Sequence, residues 1–373
     1  MALGKRNLRG YHSVLIVTIR AALCSSAGRK TYLLYTSPFM QKYRKLLILA
    51  ILLIAAAAAG FYLYQRSSQA PAAARLLPEG DLIFHANLKP VHSMDLSNAQ
   101  PAVETMLALF GVAPAEYRDF MAQTGVHLET DLDELSMSRH DTPDGQDVES
   151  AEVFFGRFDH EHLKNYLQKF SSGTEQYRDS SIYSINHEGH IVRVAILGKG
   201  RIAVTNMTSP EPMHGIIDRA YKSTSGPSLL IAHYRDVPAT SLAWLIDRIP
   251  NKQDNVELPG GFAITLPGDT VAVGSLRYTG SFLFRADVFA QSESQARQIV
   301  DAANTHLALV RSIGQFVGRK GNDKDVKAAF DSIQVEQKEN VATLTATIPQ
   351  SVLKKIWSEV KEENAAPQQP PKR

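Results

Sequence analysis

The chain has 373 residues, a formal charge of +2 at pH 7 and one cysteine. Nine of its 40 Lys and Arg precede Leu46, so 31 remain against 38 Asp and Glu, and residues 46–373 carry a formal charge of −7. A net-acidic body has no electrostatic reason to bind nucleic acid, because such binding depends on Lys and Arg that neutralise phosphates. Because Cys24 is the only cysteine, disulfides, Cys-ligated zinc and a Cys nucleophile are excluded from residues 46–373.

Residues 46–64 form an uncharged apolar run directly after Lys42, Arg44 and Lys45. A helix of this length covers about 28 Å, close to the ~30 Å hydrocarbon core of a bilayer. We therefore predict a transmembrane anchor over 46–64, with membrane lipid as its partner. The basic, acid-free leader 1–45 predicts a cytoplasmic N-terminus and a body on the other side of the membrane, because cytoplasmic flanks are enriched in Lys and Arg.

Three alternatives for the N-terminal region stay open. The small residues at 55–59 could be the cleavage site of a secretory signal, although the apolar run is longer than the usual ~7 to 15 residues. Met40 begins a complete short basic region followed by an anchor, so residues 1–39 could be an over-extended start. The Arg-containing leader could also be a mitochondrial transit peptide, but residues 14–19 are uniformly apolar and not amphipathic.

Composition divides the rest of the chain into a tether, a body and a tail. Residues 65–76 are mostly small or polar and contain Pro71, which favours a flexible tether. Residues 362–373 contain three prolines and no large apolar residue, which predicts disorder. In the body, short alternating runs predict strands and 3.6-residue periodicity predicts helices, so the fold class is α+β.

Four helices in the body have clear start signals or apolar stripes. Asp159 is a candidate N-cap, Ser209 precedes a proline that suits a first helical position, and Ser292 with Gln295 has capping-box spacing. The last helix begins near Val352. Each apolar stripe has to be covered by a sheet or by another helix.

Strands and helices follow one another in two runs of similar order. The first run, over 77–225, has predicted strands at 82–88, 135–140, 151–158, 182–185, 191–197 and 201–206, and predicted helices at 103–110, at 117–121 and after Asp159 and Ser209. The second run, over 226–361, has a predicted strand at 229–235, a helix at 240–249, strands at 262–266, 270–279, 281–290, 333–336 and 341–348, and helices after Ser292 and Val352.

This recurrence predicts an internal duplication. The stretch LLPEGDLIFHANLKPVHSM resembles SLLIAHYRDVPATS, and SSIYSINHEGHIVRVAIL resembles DSIQVEQKENVATLTATI in alternation and turn position. We predict two related modules, 77–225 and 226–361, each an antiparallel sheet with helices packed on one face. Chance similarity of short alternating strands is the alternative.

The order of the segments is also similar to that of a known family. A basic anchor and an Ala/Pro tether precede the first strand, which is introduced by Leu77, Pro78, Gly80 and Asp81, and a Phe-Asp pair at 158–159 later joins a strand to a helix. This order resembles uncharacterised single-pass bacterial envelope proteins with a duplicated α+β exported region. The resemblance implies a bacterial inner-membrane location with an extracytoplasmic body, and it implies no particular activity.

The densest potential metal-ligand cluster is Asp159, His160, Glu161 and His162. Histidines two apart on a helix point about 200° away from each other, so they cannot chelate one ion as an i, i+4 pair would. We interpret them as solvated residues of a first helical turn, where acids favour the helix dipole. Removal of either ring is expected to cost under about 0.5 kcal/mol.

Other candidate ligand groups lie in turns and connections. His187 and His190 flank a predicted hairpin turn and could share a metal ion, but a plain turn is the simpler interpretation. The acidic stretch 141–149 is interpreted as a turn between strands. A second acidic run lacks the glycine and the distal Glu of a calcium loop and is interpreted as a polar connection: Glu129, Asp131, Asp133 and Glu134.

The sequence contains no serine-hydrolase elbow, Walker loop, zinc-protease motif or β-lactamase box. We therefore assign no catalytic, cofactor-binding or metal-binding residue and expect no cofactor. The favoured function is a non-enzymatic binding or structural module of the cell envelope with a protein partner. Handling of lipid or another apolar ligand at the membrane surface is an alternative, and an enzyme with dispersed active-site residues is a third.

Overall fold

The structure, a computed structural model, describes residues 69–90, 92, 114–142, 148–187, 189–224, 226, 228–249, 254–258, 262–316 and 324–352. The predicted leader, anchor and tail (1–45, 46–64 and 362–373) lie outside these residues. None of the helices within the described ranges is long and apolar enough to cross a membrane.

The described chain is an α+β fold with a large antiparallel sheet. Its strands are β1 (Leu82–Asn87), β2 (Leu132–Asp141), β3 (Val148–Gly156), β4 (Gly173–Tyr177), β5 (Ser180–His187), β6 (His190–Ile196), β7 (Arg201–Thr205), β8 (Ala243–Ile249), β9 (Asp254–Leu258), β10 (Phe262–Leu266), β11 (Thr270–Tyr278), β12 (Ser281–Phe289), β13 (Gln334–Lys338) and β14 (Val341–Pro349).

The helices connect these strands. They are α1 (Pro114–Thr124), α2 (Leu128–Asp131), α3 (His160–Phe170), α4 (Glu211–Lys222), α5 (Glu293–Phe316) and α6 (Lys324–Asp331), with two 3-10 helices, η1 (Ala74–Leu76) and η2 (Leu229–Asp236). Of the last predicted helix, residues 350–352 are described and are helical.

Twelve of the described strands form one sheet, in the order β13-β14-β12-β11-β8-β1-β2-β3-β7-β6-β5-β4. The neighbouring strands run antiparallel throughout, and β9 pairs with β10 as a separate hairpin. The pair β1–β8 joins the strands of the first predicted module to those of the second, so one sheet runs through both. The division at 225/226 stays a prediction.

Helices cover both faces of this sheet, which corrects the prediction that they pack on one face. On the face that carries His85, Met213 and Ile216 of α4 pack with Val153 of β3. On the opposite face, which carries Phe84, Leu163 of α3 packs in a second apolar cluster. The reason lies in strands such as β3, where the neighbouring residues Val153 and Phe154 are both apolar and point to opposite faces.

The predictions for 229–235 and 240–249 were wrong, because the first segment is the 3-10 helix η2 and the second contains strand β8. Apolar residues in 242–249 satisfy both helical and strand spacing, and the flanking strands β1 and β11 decide between them by pairing with both edges of β8. Trp244 and Ile246 are then buried on one face. With the place beside β1 filled by β8, the segment 229–236 packs over the sheet instead, through Leu230 and Tyr234.

The predicted duplication aligned the wrong hairpin of the first module with β13–β14. Sequence similarity paired residues 180–197, the hairpin β5–β6, with β13–β14. In the sheet, β14 lies next to β12, and the strand that lies next to β3 in the corresponding place is β7. By position, the counterpart of β13–β14 is therefore β6–β7. The sequence comparison chose the wrong hairpin because alternation alone does not distinguish one amphipathic hairpin from the next.

The start signals at Asp159 and at Ser292 were confirmed, whereas α4 begins at Glu211 with Pro210 in the N-cap position, one residue later than the sequence predicts. The Asp159 carboxylate accepts hydrogen bonds from the backbone N–H groups of Glu161 and His162 at the start of α3. Ser292 Oγ accepts from the N–H of Gln295, whose side chain accepts from the N–H of Gln291 at 3.0 Å. Side-chain caps thus satisfy donors that a helix leaves unpaired at its first turn.

Candidate functional site

The two histidines of the cluster at the start of α3 contact different partners. His160 Nε2 accepts a hydrogen bond of 3.0 Å from the N–H of Gly200, in the turn between β6 and β7. His162 Nδ1 lies 2.8 Å from Asp159 Oδ2 in its own helical turn, and its side chain is 65% exposed. Across the described ranges, no group of three or more His, Cys, Asp or Glu comes together that could hold a metal ion.

The second histidine pair lies where the sequence predicts a hairpin turn. His187 and His190 face each other as the last pair of the β5–β6 ladder, and Gly189 in the turn has a φ of 87°. Glycine adopts this left-handed conformation without steric cost, so the turn forms for backbone reasons.

The acidic run around α2 is distributed among separate contacts. Glu129 Oε2 accepts from the hydroxyl of Tyr117 at 2.7 Å, and Glu134 Oε1 accepts from Lys89 Nζ at 2.9 Å. Asp133 Oδ1 lies 3.7 Å from His92 Nδ1. The carboxylates therefore bind different elements and do not converge on one point as calcium ligands would.

A buried serine–histidine contact, which no sequence motif indicated, joins β1 to β2. His85 Nδ1 lies 2.8 Å from Ser136 Oγ, and the two residues are direct partners in the strand register. Across the other edge of β1, His85 faces Trp244, with ring centroids 5.4 Å apart. Alternation of β1 alone could have indicated that His85 shares a face with Ile83, whereas the partners depend on register.

The environment of this pair argues against nucleophilic catalysis. His85 is 3% exposed and Ser136 is fully buried, so a substrate could not reach the hydroxyl. Burial lowers the pKa of His85 to about 4, only partly opposed by the negative charge of Glu134. An imidazole of such low basicity is a poor general base near neutral pH. The contact instead satisfies two buried polar groups in the centre of the sheet.

A second feature that the sequence did not reveal lies between η1, α4 and the segment before η2. Arg219 Nε donates to the carbonyl oxygen of Leu76 at 2.8 Å, and the N–H of Gly226 donates to the carbonyl oxygen of Arg75 at 2.5 Å. These hydrogen bonds hold together the three segments that carry Arg75, Arg219 and Ser228. We call these three residues the arginine cluster.

Each member of the arginine cluster has one polar atom that is shielded from solvent and has no hydrogen-bond partner in the described part of the chain. The atoms are Arg75 Nε, Arg219 Nη2 and Ser228 Oγ. Buried polar groups are nearly always paired. Elsewhere in the described chain, His92, Ser138 and Arg139 each have such an unpaired atom as well. The members are far apart in sequence, which is why no motif indicated them.

No protein-family model and no curated protein matches the chain. Among solved structures, two crystal forms of TP0453 are similar. Crystal form IV has a TM-score of 0.42 and 10% sequence identity and covers 77% of this chain and 96% of that one. Crystal form III has a TM-score of 0.39 and 11% identity, with coverages of 78% and 99%. At these values the similarity carries no conclusion about function.

Proposed function

We propose that the protein is a membrane-anchored, extracytoplasmic module of the bacterial cell envelope that acts by binding and catalyses no reaction. The apolar run 46–64 and the basic leader before it support the location. The observation that carries the non-enzymatic part is the closed His85–Ser136 contact. It has the two residue types of a catalytic pair, yet both are buried and they serve to join two strands.

Lipid handling is a second candidate, and the arginine cluster favours it. Arg75 lies within the predicted tether 65–76, between the predicted anchor and β1. Shielded guanidinium groups attract the anionic groups that phospholipids carry at a bilayer surface.

The location is tested by fusing a reporter of extracytoplasmic activity after Arg373. The fusion is expected to be active, and activity of a cytoplasmic reporter alone at the same position would contradict the proposed topology. A second fusion that starts at Met40 keeps Lys42, Arg44 and Lys45 and is expected to have the same location. Mislocalisation of this shorter form would show that residues 1–39 are a targeting element.

The absence of serine-hydrolase chemistry is tested with a fluorophosphonate probe, which labels activated serines. The full-length protein in detergent is expected to stay unlabelled while a serine hydrolase in the same tube is labelled. Labelling that disappears in a Ser136→Ala variant would contradict the non-enzymatic proposal. Labelling that persists in this variant would place an activated serine elsewhere and would contradict it equally.

A further inference from the structure

The hairpin between β5 and β6 is flanked by two histidines that the turn itself does not explain. His187 is the last residue of β5, and His190 is the first residue of β6. Gly189, with a φ of 87°, supplies the left-handed conformation that a tight turn requires. Such a turn makes no demand for imidazole at the flanking positions. The identity of the two side chains therefore needs a separate explanation.

The register of the hairpin places both imidazole side chains on one face of the sheet. His187 and His190 are direct partners, and Tyr183 faces Val194 further along the same ladder. Tyr183 and Val194 belong to the apolar cluster that contains Leu163 of α3. Because side chains alternate along a strand, His187 and His190 lie on this same face. The Cβ atoms of directly opposed residues are about 4.5–5.5 Å apart, so the two rings are neighbours.

Both histidines are open to solvent, unlike the apolar pair on the same ladder. Tyr183 and Val194 are 2% and 8% exposed, whereas His187 and His190 are both exposed. The ladder thus leaves the core before it reaches the turn. Because the two rings lie outside the core, an ion reaches them directly from solvent.

This relationship between two histidines does not recur in the described strands. His85 and His140 face residues of other types in the register of the large sheet. The two histidines of α3 contact different partners, as their spacing in a helix requires. The hairpin pair is therefore distinguished from the other histidines by its geometry as well as by its exposure.

We propose that His187 and His190 together bind one divalent transition-metal ion of the class that prefers imidazole, namely Zn²⁺, Ni²⁺ or Cu²⁺. Neutral imidazole nitrogens are good ligands for these ions, whereas Mg²⁺ and Ca²⁺ prefer oxygen ligands. The hairpin holds the two ligands close together, so the second ring binds intramolecularly once the first has bound. Water fills the remaining coordination positions, since no group of three or more metal-binding side chains comes together in the described residues. This site is independent of the proposed function.

Metal titration of the full-length protein in detergent tests the site. The protein carries a streptavidin-binding tag in place of a polyhistidine tag and is titrated by calorimetry with ZnCl₂ in a buffer free of chelators. Zn²⁺ is expected to bind saturably at neutral pH and to be released as the pH falls, because protons compete for the imidazole nitrogens. With CuCl₂, electron paramagnetic resonance is expected to show coupling of the copper to two equatorial nitrogens.

His187→Gln and His190→Gln are each expected to weaken Zn²⁺ binding about a hundredfold or more, because either change removes the intramolecular second ligand. Each variant should also reduce the copper signal from two coupled nitrogens to one. Both side chains are exposed, so the variants are expected to fold, which circular dichroism checks. The matched control is His162→Gln, which removes an exposed imidazole beside Asp159 and should leave the affinity unchanged.

Four outcomes would overturn the proposal. Absence of saturable Zn²⁺ binding by the wild-type protein would mean that the hairpin ends in a plain turn. Unchanged affinity in either His187→Gln or His190→Gln would place the ion elsewhere. Equal weakening by His162→Gln would show that exposed histidines bind zinc independently of their pairing. Coupling of copper to a single nitrogen in the wild type would contradict a two-histidine site even if a variant proved unstable.

Discussion

Arg248 Nη2 lies 2.6 Å from Asp81 Oδ1, which ties the start of β1 to the end of β8. The backbone repeats this link, because the N–H of Arg248 donates to the carbonyl oxygen of Asp81 at 2.8 Å. On its other side Asp81 Oδ2 lies 2.7 Å from His140 Nδ1 of β2. Gly80 allows the approach, since a Cβ there would lie 2.8 Å from the carbonyl oxygen of Arg139. The Leu-Pro-x-Gly-Asp pattern thus joins three central strands.

Asp81→Asn is expected to destabilise the protein by about 1 to 2 kcal/mol at pH 7, because a charge-assisted hydrogen bond and an ion pair are lost. Burial tends to raise the pKa of Asp81, but the hydrogen bond from Arg248, together with that from the N–H of Asp141, outweighs it and lowers this pKa. Because its pKa is lowered in the folded state, Asp81 stabilises the fold at pH values above its unfolded-state pKa. This stabilisation is lost as the pH falls through its folded-state pKa.

Urea unfolding of the full-length protein in detergent at pH 7 and pH 3 measures this contribution. The difference between wild type and Asp81→Asn should shrink at pH 3. The control is Asp179→Asn, an exposed residue of the turn between β4 and β5, which should change stability by less than about 0.5 kcal/mol. An equal effect of the two variants at pH 7 would contradict the role assigned to Asp81.

His85 should make the protein sensitive to mild acid. Because burial lowers its pKa to about 4, the folded protein keeps this ring neutral where the unfolded chain, with a pKa near 6.5, already binds a proton. Its contribution is therefore fully present above pH 6.5 and is lost as pH falls toward 4, by on the order of 3 kcal/mol.

His85→Asn, which can still hydrogen-bond to Ser136, is expected to lower stability at pH 7 through lost packing on Trp244. It should also flatten the decline of stability between pH 6.5 and pH 4, measured by urea unfolding at intervals of half a pH unit. A decline identical to that of the wild type would show that another group controls the acid response.

Glu152 should lower the stability of the protein as the pH rises, whereas His85 lowers it as the pH falls. It lies on the Phe84 face between Met137 and Val204, and burial raises its pKa to about 7, although a hydrogen bond from Ser150 opposes this shift. A raised carboxyl pKa means that the folded state holds a proton that the unfolded chain has lost. The stabilisation is present below the unfolded-state pKa near 4.5 and is lost as pH rises through 7.

Glu152→Gln removes the charged form and is therefore expected to stabilise the protein by about 2 kcal/mol at pH 8 and to have little effect at pH 5. The melting temperature of the full-length protein in detergent, measured at both pH values, checks the sign. Exposed Glu161→Gln serves as the control and should be neutral at both. A lower melting temperature for Glu152→Gln at pH 8 would contradict the buried-carboxyl argument.

The two histidines of α3 should differ in importance. His160→Ala is expected to cost about 1 kcal/mol, because the N–H of Gly200 loses its acceptor in a turn where Gly200 has a φ of 70°. His162→Ala should cost under about 0.5 kcal/mol, since its side chain is mostly exposed. The structure thus revises the expectation that neither ring matters. Thermal unfolding with and without EDTA tests both points, and a response to EDTA that either variant abolishes would restore the metal hypothesis.

The sequence determined the local elements of this fold where their signals depend on near neighbours. Asp159 and Ser292 mark helix starts because a cap bonds to N–H groups two or three residues away. Gly280 marks the β11–β12 turn because a φ of 93° favours glycine. The α+β class follows from such signals. The anchor over 46–64 is a prediction of the same local kind.

Only the tertiary structure decided which segments became neighbours. The residues of β8 fit two periods, and pairing with β1 and β11 on both edges selected the strand. The register of the β1–β2 pairing places His85 opposite Ser136. Arg219 donates a hydrogen bond to the backbone of η1, although the two residues are 143 positions apart in sequence. Contacts of this kind depend on how sheets and helices pack around a shared core. Sequence periodicity reports only on near neighbours in the chain, so it does not tell which distant segments will pack together.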